Sequence, residues 1–173
     1  MVGTLAMAII LQSSQQDWMV RRDYRATIKN LGREILLSNG LVERRIQLEP
    51  FVGTTSIMRL DSGEQFLRSI EPEALLTIDG KVLTLGGVSG VPNRAYLLKD
   101  WIKSLRADTR TMTFKGLRQV AIEAPVPYQP SSGQKWPPTG KAIILDFEHE
   151  GILAELKFEI FDNLPVIGKR LRI

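Results

Sequence analysis

From Tyr24 to the C-terminus the chain keeps returning to an alternation of apolar and polar residues with a period of two, and that repeat restricts it to pleated sheet. The stretch ATIKNLGREILLSNGLVERRIQLEP reads as three short strands separated by turns at Leu31-Gly32 and Asn39-Gly40. Asn-Gly signals a hairpin because both residues tolerate the positive φ of a type I′ turn. Leu41, Arg44, Ile46 and Leu48 do not alternate strictly, which predicts a bulge near Glu43-Arg44. Thr54 to Leu60 reads as the next strand, closed by Asp61-Ser62-Gly63, and ALLTIDGKVLTL reads as a hairpin turning at Asp79-Gly80. Thr111 to Ala121 is again strand. KAIILDFEHE and ILAELKFEIFD flank Gly151, with Leu156, Phe158 and Ile160 on one face and Glu155, Lys157 and Glu159 on the other. That is the pattern of a half-buried antiparallel strand. Asp162-Asn163-Leu164-Pro165 turns the chain into a last strand, Val166 to Ile173.

Three segments depart from this period. Gly86 to Pro92 reads as a loop; its glycines match neither phosphate-binding spacing, so it is read as a plain connection. Ala95 to Arg106 places Leu97, Leu98, Trp101, Ile102 and Leu105 at helical spacing, which predicts one amphipathic helix with Trp101 as a core anchor. Residues 124–140, APVPYQPSSGQKWPPTG, hold five of the nine prolines and form a long loop. Hairpins with one helix and no βαβ alternation give a mainly β fold, an antiparallel β-sandwich, as a single domain over 18–173. Residues 1–17 contain a short apolar run, Leu5 to Leu11, read as a degenerate signal segment or a disordered N-terminus. The expected location is secreted or periplasmic, with the cytoplasm left open. The run is too short to span a bilayer.

Composition removes several function classes. Without cysteine there is no disulfide, thiolate metal site or cysteine nucleophile. The net charge of +4 invites a nucleic-acid reading, but the basic residues form no stripe interleaved with aromatics, so no nucleic-acid partner is expected. If Arg44-Arg45 lies in a strand, the two side chains point to opposite faces. The one histidine, His149, sits beside Glu148 and Glu150 next to a hairpin turn, and consecutive strand residues diverge too far to share a metal ion. No catalytic residue, metal site or cofactor is assigned. Asp146, mid-strand among apolar neighbours, is the carboxylate whose burial matters most.

The remaining chemical signal is aromatic. Tyr128 and Trp136 stand in the proline-rich loop near Gln134 and Lys135, and an aromatic face flanked by amides and charges suits a sugar ring. These four residues are the candidate carbohydrate-binding set. The competing reading is that Trp136-Pro137-Pro138 only packs the loop onto the sandwich.

The runs ILLSNGLVERRIQLEP, TTSIMRLDSGEQFLRSIEPEALLTIDGKVLTLGG, AYLLKDWI and LKFEIFDNLPVIGKRLRI together resemble the N-terminal β-supersandwich domain of α-galactosidase-like glycoside hydrolases, which is similar to the sandwich of galactose-mutarotase-like proteins. The likeness runs from about Trp18 to Ile173. It implies a non-catalytic accessory domain that packs on a (β/α)₈ catalytic barrel, supplied by a C-terminal domain or a partner chain, and it carries no catalytic residue onto this sequence. The alternatives are a stand-alone carbohydrate-binding module and a mutarotase-like sugar epimerase, the latter needing His149 beside a carboxylate.

Overall fold

A computed structural model describes residues 23–89, 99–131, 133 and 135–173. The first strands, β1 (Thr27–Asn30), β2 (Glu34–Ser38), β3 (Val42–Gln47), β4 (Gly53–Arg59) and β5 (Glu64–Gln65), form an antiparallel meander in sequential order. A hairpin, β6 (Ala74–Ile78) with β7 (Lys81–Leu85), and a short pair, β8 (Val88–Ser89) with β9 (Arg106–Ala107), come next. The second large sheet is a four-stranded meander of β10 (Thr113–Val120), β11 (Gly140–His149), β12 (Ile152–Phe161) and β13 (Ile167–Arg172).

The period of two explains why these sheets face one another. Ile35 and Leu37 of β2 and Ile46 of β3 point inward from the first sheet. Ile143, Leu145 and Phe147 of β11 meet them from the second, together with Ala154, Leu156, Phe158 and Ile160 of β12, in one continuous core. Leu76, Leu83 and Leu85 of the β6–β7 hairpin join that core. The architecture is therefore the expected antiparallel β-sandwich, with inner faces interdigitated. Each buried aliphatic or aromatic side chain contributes on the order of 1.5–3 kcal/mol.

Several local expectations are corrected. The helix over 95–106 is not seen: residues 95–98 lie outside the described residues, and Lys99–Trp101 forms only a single 3₁₀ turn. Ser104 donates from its backbone N–H and its hydroxyl to the Trp101 carbonyl (2.9 and 2.8 Å), and Arg106–Ala107 then pairs as a strand. Strand pairing thus outweighed helical periodicity. Ile102 and Leu105 still bury, in a small satellite cluster with Phe51 and Ile70, but Trp101 is only half-buried and belongs to neither core cluster. The bulge falls at Arg45/Ile46, where the extra residue, Thr55, belongs to the partner strand β4. β3 itself alternates without a break because Arg44 points inward.

The Asn39-Gly40 turn also differs from a type I′ hairpin. Gly40 has φ 85, but Asn39 is not left-handed. Its side chain is buried and works as a staple: Oδ1 accepts from the N–H groups of Leu41 and Val42 (2.9 and 3.0 Å), and Nδ2 donates to the carbonyls of Phe161 and Leu164 (both 2.7 Å). The Asp79-Gly80 turn has positive φ at both residues (49 and 76), as expected for type I′. Gly86 is no loose connection: a Cβ there would lie 2.2 Å from the Val52 carbonyl oxygen, so only glycine permits the close approach. The first 17 residues lie outside the described residues.

Candidate functional site

The alternation that builds β12 and β13 also sorts their polar residues into two sets. Facing inward, Lys169 of β13 places its Nζ 2.8 Å from Oε2 of Glu73, the residue that precedes β6. Arg44 Nη2 donates to the same oxygen at 2.8 Å, and Thr54 donates to Glu73 Oε1 from its N–H (2.8 Å) and hydroxyl (2.5 Å). Arg44 also stacks 4.3 Å over the Phe158 ring. Burial opposes the charge on Glu73, but Arg44, Lys169 and the hydrogen bonds outweigh it and hold its carboxyl below the ordinary value. Every polar atom of this cluster that is drawn into the core has a partner, so it ties β3, β4, β13 and the start of β6 together and offers no reactive group. As the sequence indicated, Arg45 points the other way, to Glu34 and Glu43.

Facing outward, the four-stranded sheet carries a compensated charge network. Glu155 is shared by Arg118 (2.5 Å) and Arg172 (2.7 Å), and Arg118 also bonds Asp146 (3.2 Å). Asp146 is therefore an ion-paired outer-face residue and not a buried acid. The basic tail is neutralised residue by residue: Lys169 by Glu73, Arg170 by Glu159 and Arg172 by Glu155. His149 ends β11 beside the Glu150-Gly151 turn, with the Glu150 carboxylate at 3.9 Å. Among the described residues, no group of three His, Asp or Glu could hold a metal ion, and no helix is long and apolar enough to cross a membrane.

One concave surface combines an apolar lining with a few polar groups. A groove of about 360 Å³ runs between Trp136-Pro137-Pro138 of the proline-rich loop and the β12–β13 corner, where Phe161, Leu164 and Val166 form its wall. Ile122, Pro125 and Gly168 add to the lining, and Glu123, Glu159, Lys169 and Arg170 supply its polar part. Trp136 is held by its own loop: Nε1 donates to the Val126 carbonyl at 3.4 Å, and the Tyr128 ring packs edge-on at 5.3 Å and 83°. It nevertheless keeps 37% of its surface exposed.

Of the four residues singled out in the sequence, Trp136 lines the groove and Tyr128 buttresses Trp136 from outside it. Lys135 is exposed and does not line it, and Gln134 lies outside the described residues. Sequence reasoning missed Glu159, Phe161, Gly168 and Arg170. The available signal was the hairpin register of FEIFDNLPVIGKR, which sets Glu159 directly opposite Gly168.

The fold and groove define an antiparallel β-sandwich with an aromatic-lined surface cleft. No family model, curated protein or solved structure matches the chain.

Proposed function

We propose that this protein is the non-catalytic accessory β-sandwich of a carbohydrate-active enzyme of the α-galactosidase-like glycoside hydrolase type, packing on a catalytic barrel supplied by the same or a partner chain. The observation that carries this reading is the state of the carboxylates. Glu73, Asp146, Glu155 and Glu159 are each engaged by one or two guanidinium or ammonium groups. A glycosidase nucleophile needs a carboxylate oxygen open to the anomeric carbon, and in each of these four a cation already occupies at least one oxygen. The running resemblance of the strands supplies the enzyme class. The test is the native gene: a barrel with a carboxylate pair encoded in the same frame or beside it is the expected finding, and a barrel in neither place contradicts the proposal.

The groove favours a second reading, a carbohydrate-binding module. An exposed indole beside a carboxylate and a guanidinium is the equipment that a sugar surface requires. Calorimetric titration with neutral oligosaccharides tests it, and heat of binding absent across the whole panel would remove it.

A further inference from the structure

The groove has an asymmetry in its polar part. Among the described residues, the cations that reach Glu159, Arg170 and Lys157, both meet its Oε1. Oε2 lies instead over Gly168, 3.1 Å from where a Cβ would stand, and Gly168 forms part of the groove lining. Gly168 does not have a positive φ, so backbone conformation does not demand a glycine at that position. The glycine places no side chain between that oxygen and the groove, whose lining is apolar apart from Glu123, Glu159, Lys169 and Arg170. The Glu159 side chain is only 6% exposed, so its geometry is fixed by its ion pairs before any ligand arrives.

We infer that this groove is a subsite for a neutral pyranose, with the ring stacked on Trp136 and hydroxyls bonded to Glu159 Oε2 and Arg170, and that Gly168 is the residue that keeps the carboxylate reachable. The inference rests on the carbohydrate-binding reading and names its site. Three features select the ligand class. The wall is apolar, matching the C–H face of a sugar ring. The charged lining holds both signs, Glu123 and Glu159 against Lys169 and Arg170, so an anionic or cationic ligand meets a like charge as well as an opposite one, whereas hydroxyls can donate to a carboxylate and accept from the guanidinium. The volume falls at the small end of ligand clefts, about 300–1,000 Å³, which fits a short saccharide end and not a long chain.

The experiment is isothermal titration of the folded protein with galactose, glucose, mannose, xylose and their neutral disaccharides, repeated on Trp136→Ala, Gly168→Ala and Glu159→Gln, with a thermal melt of each. The expected result is binding by the parent protein, a loss of at least ~10-fold in Trp136→Ala, and about 5-fold or more in Gly168→Ala with its melt unchanged. Glu159→Gln, which preserves shape, replaces Gly168→Ala as the probe if the latter melts early. Binding that survives all three substitutions overturns this site while leaving a sugar-binding module intact. Loss in Trp136→Ala alone overturns the hydroxyl contact, and no binding by the parent protein removes both the site and the module reading.

Discussion

Replacing Glu73 by glutamine tests whether the inter-sheet ion cluster holds the sandwich together. The substitution keeps the shape and leaves an oxygen for the Thr54 N–H, but it removes the charge opposite Arg44, whose side chain is 10% exposed. Breaking one partner of a buried pair costs about 3–5 kcal/mol, because the remaining charge is stranded in low dielectric. Here the lower end applies. Arg44 retains the Thr54 hydroxyl and the Phe158 ring, and Lys169, about one-third exposed, can turn toward water. A loss of ~3 kcal/mol in urea unfolding is expected, equivalent to a melting point lower by roughly 6–12 °C for a chain of this size. The pH dependence carries a sign. Because the folded carboxyl titrates below its ordinary value, its contribution is complete above the unfolded-state value and is lost as pH falls through the folded one. The gap between the parent protein and Glu73→Gln must therefore narrow as pH drops below about 4. A substitution costing under ~1 kcal/mol at neutral pH, or a gap that widens in acid, would refute this account of the cluster.

Three further substitutions probe other parts of the fold. Asn39→Ala removes four hydrogen bonds, two that close the β2–β3 turn and two that link it to the β12–β13 corner, and should cost at least ~2 kcal/mol in the same unfolding assay. Gly86→Ala forces a Cβ to within 2.2 Å of the Val52 carbonyl oxygen at a φ of 66, so it should destabilise by more than ~3 kcal/mol or yield no folded protein. His149→Ala should change stability by less than ~0.5 kcal/mol, as expected for a residue at a hairpin end whose one ion-pair contact among the described residues is Glu150 at 3.9 Å; a larger loss by thermal melt would point to a role for the imidazole that this geometry does not show.

The sheets were legible in the sequence because alternation is local: each strand reports its own buried face, and Leu156, Phe158 and Ile160 bury as their spacing indicated. The polar interior was not legible for the opposite reason. Arg44 looks like a break in the β3 pattern, and only its long-range partner Glu73, which Lys169 shares, makes sense of its inward position. Asn39 carried a strong turn signal that was right about location and silent about the side chain's reach across more than 120 residues. The expected helix failed because amphipathic spacing over 95–106 does not register that Arg106–Ala107 has a strand to pair with. In the groove, Trp136 was legible as an exposed aromatic on a stiff loop. Its partners on β12 and β13 follow only once the register of the FEIFDNLPVIGKR hairpin is fixed, since nothing in GKR by itself says that a glycine faces a glutamate.

The claim that this sandwich is a scaffold without reactive machinery of its own is tested most directly by glycoside turnover. Purified protein incubated with a panel of nitrophenyl glycosides, α-galactoside first, should release nitrophenol no faster than a buffer blank. Release that scales with protein concentration and disappears on substitution of Asp146, Glu155 or Glu159 would contradict it.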